Sequence, residues 1–241
     1  MTKKIKVHST SKETLNILHE YLKAFFHDME TVQILEAGCG SGSLINIPKQ
    51  GHVTGIDISQ EEMNKNSVVH EKIIGDVQTY NLPIDKFDLV VCWDVLEHLP
   101  NPDQAIMNML QSVAPGGLLL LAFPNVLSIK GMVAKFTPLW VHSAFNKFIY
   151  GKRAGSPGLI NFPTFLRWSI IPERLIEFAQ KNELDVELAC LHESGVQRRF
   201  RRKIFLGGFL TSAIETIVSF CSFGKISFQK SDCLFLFRKR S

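Results

Sequence analysis

Three glycines and two aspartates in the first third of the chain are the residues best placed to do chemistry. The run Q-I-L-E-A-G-C-G-S-G at 33–42 puts Gly38, Gly40 and Gly42 directly after an apolar segment. Glycines at a strand-to-helix junction let the backbone turn sharply and approach a ligand with no Cβ in the way. The helix that follows such a turn then offers its free amino-terminal N–H groups. Dinucleotide-binding turns space their glycines G-x-G-x-x-G, whereas here the third comes one residue early, which argues against a nicotinamide dehydrogenase. Asp57 closes the next apolar run, H-V-T-G-I-D, at the strand position where nucleoside-binding α/β folds hold a ribose diol. Gly75-Asp76-Val77 closes the run after that, offering a carboxylate to an adenine amino group and an apolar side chain to its ring. Taken singly, each acid equally suits a helix cap or a turn. Two successive strand ends in Asp beside a glycine turn favour a nucleoside site.

A second group lies at 94–98, D-V-L-E-H. His98 titrates in the range needed for base work near neutrality. Asp94, Glu97 and His98 together offer an O/O/N set for a divalent ion, but Glu97 and His98 equally suit capping or bracing the following loop, and no metal ligand is assigned. His142, in T-P-L-W-V-H, is a second candidate base.

The elements needed to bring these residues together are legible as alternating β-rich and helical patterns, the mark of a parallel sheet covered on both faces. Strands are expected near 33–37, 52–57, 71–75, 87–92 and 117–123, then 184–191 and 231–239. Helices are expected near 10–27, 42–47, 59–66, 102–114 and 172–181. Two segments break the alternation. Residues 126–171, after the fifth strand, carry Trp140, Phe145, Phe148, Tyr150, Phe162, Phe165 and Trp168 with interleaved lysines and arginines. Ligands settle at the carboxyl ends of strands in such sheets, so this insertion reads as an aromatic substrate lid. Residues 197–228 carry R-R-F-R-R-K at 198–203 and continue as an amphipathic helix before the last strand.

I-L-E-A-G-C-G-S-G, V-T-G-I-D-I-S, I-I-G-D-V, F-D-L-V-V-C-W-D-V-L-E-H-L and P-G-G-L-L-L-L-A-F-P-N resemble, in order, the motifs of class I S-adenosylmethionine-dependent methyltransferases. The nearest resemblance is to the ubiquinone-biosynthesis type O-methyltransferases, over residues 30–125. It implies one Rossmann-like α/β domain over 1–241, with a seven-stranded, mostly parallel sheet and helices on both faces, and S-adenosyl-L-methionine as cofactor. It further implies that Glu36 and the three glycines shape the methionine pocket and that Asp57 holds the ribose. Ile58 would flank the adenine, Asp76 and Val77 frame it, and Trp93 line the pocket. In the resembled O-methyltransferases the 94–98 segment is metal-linked, but its first acid is Glu where this chain has Asp94. The N-P-P-Y or D-P-P-Y run typical of nucleobase amino-methylating enzymes is missing after the fourth strand, which weighs against a nucleobase amino acceptor. Oxygen is the favoured acceptor atom, with nitrogen and carbon still open.

Composition bounds the partners. Hydrophobic residues make up 45% and charged residues 21% of the 241, a globular balance. The five cysteines occur singly, against a disulfide framework or zinc site and in keeping with a cytoplasmic address. From Val196 onward ten basic side chains face two acidic ones, within a chain of net charge +4. The body is therefore mildly acidic and the tail strongly basic. That tail suits an anionic membrane surface met by 198–222, each basic residue contributing on the order of 1 kcal/mol. It equally suits a helix packed on the sheet with a solvated basic loop, or a dimer contact. Methylation of RNA or protein, and a membrane-associated module without chemistry, are the alternative functions. The aromatics of 126–171 recur with aliphatics at helical spacing, which suits packing or membrane contact better than a nucleic-acid stacking platform; as a lid the segment fits a small apolar or aromatic acceptor.

Overall fold

The computed structural model describes residues 5–8, 10–43, 51–128, 164–195 and 230–241, with isolated positions between them. Eight strands form one sheet: β1 (Lys6–His8), β2 (Val32–Ala37), β3 (Gly51–Asp57), β4 (Glu71–Ile74), β5 (Phe87–Trp93), β6 (Val113–Pro124), β7 (Asp185–His192) and β8 (Asp232–Arg238). Their order is β1-β7-β8-β6-β5-β2-β3-β4. All pairs are parallel except those of β8, which runs antiparallel to both neighbours. The expected doubly covered, mostly parallel sheet is present, with eight strands rather than seven. The additional strand, β1, pairs with β7 through only three residues. So short a run shows no periodicity, and what makes it a strand is a partner nearly two hundred residues away.

Among the described residues four helices cover the two faces. On one face, α1 (Ser11–Phe25) starts where the Thr10 hydroxyl accepts the Glu13 N–H and buries Leu18 and Leu22. It shares that face with Met63 of α2 (Gln60–Lys65), which packs with Ile34, Val53 and Val91. On the other, α3 (Pro102–Ser112) and α4 (Pro172–Lys181) each begin with proline, which needs no N–H in a first turn. Ala105, Ile106 and Met109 of α3 and Leu175 and Ala179 of α4 meet Leu35, Val90, Leu119 and Phe235. Strands buried on both faces have no polar alternation to show; Leu118 to Phe123 of β6 is buried without interruption. Each fully buried Leu stabilises by up to about 2–3 kcal/mol.

The helix expected at 42–47 falls mostly outside the described residues, as does most of 126–171 and of 197–228. No helix among the described residues is long and apolar enough to cross a membrane.

Candidate functional site

The sheet reverses direction of travel between β2 and β5, which are neighbours although two strands intervene in the chain. Such a switch point opens a crevice at the carboxyl ends of the strands. Register sets those ends level. Ala37 of β2 sits opposite Ile56 of β3 and Cys92 of β5, and Asp57 opposite Ile74 of β4. Gly38, Asp57, Gly75 and Trp93 therefore share one rim.

The glycine turn is held by its neighbours on that rim. Gly38 N–H donates to Ile56 O at 2.7 Å, and Gly40 N–H donates to Asp57 Oδ2 at 2.9 Å. Gly38 has φ +70 and Gly40 φ +45, left-handed values that L side chains avoid. A Cβ on Gly38 would run into Val95, whereas at Gly40 and Gly42 it would meet no atom within 4 Å. The backbone is thus packed on one side at Gly38 and open at Gly40 and Gly42. Two carboxylates flank it: Asp57, whose Oδ1 also accepts the Ser59 N–H at 2.7 Å, and Glu36, buried in β2 at 5% exposure. Burial, followed by the negative charges of Asp57 and Glu36, pushes the Cys39 thiol up to about 12. Ile58, directly after Asp57, is 70% exposed, an apolar side chain held out beside the turn.

The third strand end carries Asp76 and the buried Val77. Gln78 donates to Asp76 Oδ1 through its backbone N–H at 2.9 Å, and its side-chain amide reaches both carboxylate oxygens at 3.0 Å. At the end of β5 the partly buried Trp93 leads into Asp94, whose φ of +52 turns the chain into a 3-10 turn, Leu96–His98. Glu97 is buried, and its Oε1 lies 3.8 Å from His98 Nε2, leaving the imidazole 30% exposed. Burial, followed by the charges of Glu97 and Asp94, raises the Cys92 thiol far above its ordinary range. Among the described residues no group of three His, Cys, Asp or Glu side chains is arranged to hold a metal ion.

This geometry has known counterparts. A family profile described as "Methyltransferase domain" matches residues 10–154, more than half of the chain. The chain belongs to this methyltransferase family. A ubiquinone biosynthesis O-methyltransferase of Rickettsia typhi is 32% identical over 128 residues, covering 49% of this chain and 52% of the relative. That of Colwellia psychrerythraea is 35% identical over 111 residues, 42% of this chain and 44% of the relative. The chain thus matches about half the length of these curated relatives. A putative methyltransferase from Bacillus halodurans superposes with TM-score 0.55 at 13% identity, covering 95% of this chain and all of that one. A SAM-dependent methyltransferase from Methanosarcina mazei gives 0.51 at 16% identity, over 93% and 97% of the two chains. At these identities the superpositions show a shared fold, that of the SAM-dependent methyltransferases.

In this methyltransferase domain Glu36, Gly38, Gly40, Gly42, Asp57, Ile58, Asp76, Val77 and Trp93 lie along or next to one rim, and His98 lies in the loop leaving it. His142 lies outside the described residues. Two amides were not anticipated. Asn66, 2% exposed, donates from Nδ2 to Cys39 O at 3.1 Å and Gly40 O at 3.3 Å, and accepts the Val68 N–H at 3.0 Å. Gln78 is the other. Both act on residues of the motifs, Asn66 on the glycine turn and Gln78 on Asp76, but an isolated Asn or Gln carries no spacing signal. The described carboxyl end of the 126–171 insertion approaches the loop leaving the rim: Phe165 and Leu166 N–H donate to Glu97 O, and Lys135 donates to Leu166 O within the insertion.

Proposed function

We propose that the chain transfers the methyl group of S-adenosylmethionine to a hydroxyl oxygen of a small, largely apolar acceptor, a quinone-like, lipid or natural-product intermediate. The observation that carries this reading is a glycine turn, open at Gly40 and Gly42, flanked by the carboxylates of Glu36 and Asp57. Such a setting repels a pyrophosphate and attracts a sulfonium bearing an ammonium group. Glu36 and the glycines would hold the methionine end and Asp57 the ribose. Ile58 and Val77 would flank the base, Asp76 accept its amino group, and Trp93 wall the pocket. The oxygen acceptor is supported by relatives named ubiquinone biosynthesis O-methyltransferase.

When bound, the cofactor supplies an already activated methyl group. What remains for the protein is alignment, exclusion of water and removal of the hydroxyl proton. His98, half out of its loop beside Glu97, is the base in this reading, with His142 the second candidate. The 126–171 insertion closes over the acceptor, and the basic 198–222 segment docks on the anionic inner face of a membrane, supplying an apolar acceptor from there. The test incubates tritiated methyl donor with purified protein and cell extract, followed by partition. Label in the organic phase supports the substrate class. Label confined to RNA or protein, or no incorporation at all, overturns it.

A further inference from the structure

We propose that Gln78 is a specificity-determining residue for the nucleoside base: it saturates one oxygen of Asp76 and presents the other to the exocyclic amine of adenine. The inference rests on the cofactor reading above and extends it to a residue with no part in the motifs. A carboxylate oxygen has two lone pairs. Asp76 Oδ1 receives two donors from Gln78, the backbone N–H at 2.9 Å and Nε2 at 3.0 Å. Oδ2 receives only the shared Nε2 contact, also at 3.0 Å, and so keeps a site for a further donor.

The orientation of the Gln78 amide is fixed from the far side. Its Oε1 accepts the backbone N–H of Asn101 at 2.9 Å, and a backbone N–H can only donate. Oε1 must therefore face Asn101, and the amide nitrogen must face Asp76. Asn108 of α3 steadies the same loop, donating from Nδ2 to Val77 O and Tyr80 O at 2.7 Å each. The carboxylate is thus locked as an acceptor, by a side chain anchored on the loop that leaves His98. A hypoxanthine base presents a carbonyl oxygen where adenine presents its amine. Against a locked carboxylate that oxygen is repelled, and against a carboxylate free to rotate it is much less so.

The test is calorimetric, comparing S-adenosylhomocysteine with its hypoxanthine analogue, S-inosylhomocysteine. The intact chain is expected to prefer the adenosyl compound by about 10- to 100-fold, the range set by a hydrogen bond to a charged group. In Gln78→Ala the preference is expected to fall to about threefold or less, while thermal unfolding moves little because the loop keeps its Asn108 contacts. Gln78→Glu, nearly the same shape, sets two carboxylates face to face and opposes the lock with charge. Its adenosyl affinity is expected to drop below that of Gln78→Ala at neutral pH and to recover on mild acidification, a response that loss of structure does not produce. Gln78→Ala keeping the full preference, or Gln78→Glu binding as the parent does, overturns the proposal. No binding of S-adenosylhomocysteine by the parent chain overturns the cofactor reading itself, and parental binding without base preference overturns the role of Asp76.

Discussion

Gly38 and Gly40 stand two residues apart in one turn, both with positive φ, yet alanine at the two positions is expected to act on different properties. Gly38→Ala meets two costs. Left-handed backbone with a Cβ costs about 1–2 kcal/mol, and forcing that Cβ into the Val95 side chain adds about 1–3 kcal/mol of overpacking. Gly40→Ala meets only the first, because its Cβ direction is empty. The new methyl projects instead into the space assigned to the ligand. Urea denaturation is expected to show Gly38→Ala destabilised by about 2–5 kcal/mol and Gly40→Ala by no more than about 2. Adding Val95→Ala to Gly38→Ala removes the two methyls that come nearest the new Cβ and leaves only a close approach to the Val95 Cβ. The double-mutant cycle is expected to show a favourable coupling of about 1–3 kcal/mol. Calorimetry with S-adenosylhomocysteine is expected to show the reverse ranking per unit of stability lost, with Gly40→Ala weakened about tenfold or more, or about 1.4 kcal/mol and upward. Equal destabilisation by the two alanines, no coupling to Val95, or parental affinity in Gly40→Ala would refute the reasoning.

Asp57→Asn turns an amide N–H toward either Gly40 N–H or Ser59 N–H, both now donors to carboxylate. S-adenosylhomocysteine affinity is expected to fall at least about tenfold, and unchanged affinity in calorimetry would remove Asp57 from the site. The folded Cys39 thiol titrates near 12, against an ordinary value of 9.0. The unfolded chain loses this proton first, so the thiol's contribution is complete below about pH 9 and declines as pH rises toward about 12. Denaturation midpoints between about pH 8 and about pH 10.5 should accordingly fall more steeply in the parent than in Cys39→Ala, and parallel slopes would count against it. Lys239→Met removes contacts to Asp85 at 2.6 Å and to the Leu110 and Val113 carbonyls. It is expected to cost about 1–2 kcal/mol in urea denaturation without altering nucleoside affinity; a large loss of affinity would contradict the separation of that corner from the site. Replacing Arg199, Arg201, Arg202 and Lys203 by Gln is expected to abolish co-sedimentation with phosphatidylserine-containing vesicles and leave the weak binding to neutral ones unchanged, and equal binding by both chains would remove the membrane assignment.

What was legible in the sequence follows from how far each signal reaches. Buried parallel strands announce themselves locally, and seven of the eight lie within a few residues of their expected bounds. Disagreements at helix ends come down to caps: Thr10 and Ser59, read as helical, are N-caps, and Asn66 is a C-cap. β6 starts at Val113 rather than 117 because Val113 pairs with Phe87, across a register shift that no local pattern announces. β1 is invisible for the reason already given. In the site, residues at strand ends were found because glycine and aspartate there are informative by type and place. Asn66 and Gln78 were missed because what holds or uses them includes contacts 23 to 27 residues away, to backbone atoms that any sequence would supply, and because a Gln two residues after an Asp carries no signal of its own.

The two halves of the site differ in what holds them. The nucleoside half is built from strand ends, whose height is set by the register of β2, β3, β4 and β5 and therefore by the whole core. In the proposed reading the acceptor half depends on two insertions, and their described ends share a single buried root. Asn125, 1% exposed, donates from its backbone to Ser231 O at 2.8 Å and from Nδ2 to Lys230 O at 2.7 Å, and accepts the Leu127 N–H on Oδ1 at 2.9 Å. Ser231 Oγ in turn accepts the Ser194 N–H at 2.7 Å. The start of the aromatic insertion and both ends of the basic one thus meet at one junction, at the carboxyl ends of β6 and β7. The aromatic insertion also reaches the loop after β5, where Phe165 and Leu166 N–H donate to Glu97 O and Arg167 donates to Pro100 O. If the proposed reading holds, substitutions within the insertions would alter acceptor choice, whereas a change at Asn125 would disturb the root of both insertions at once.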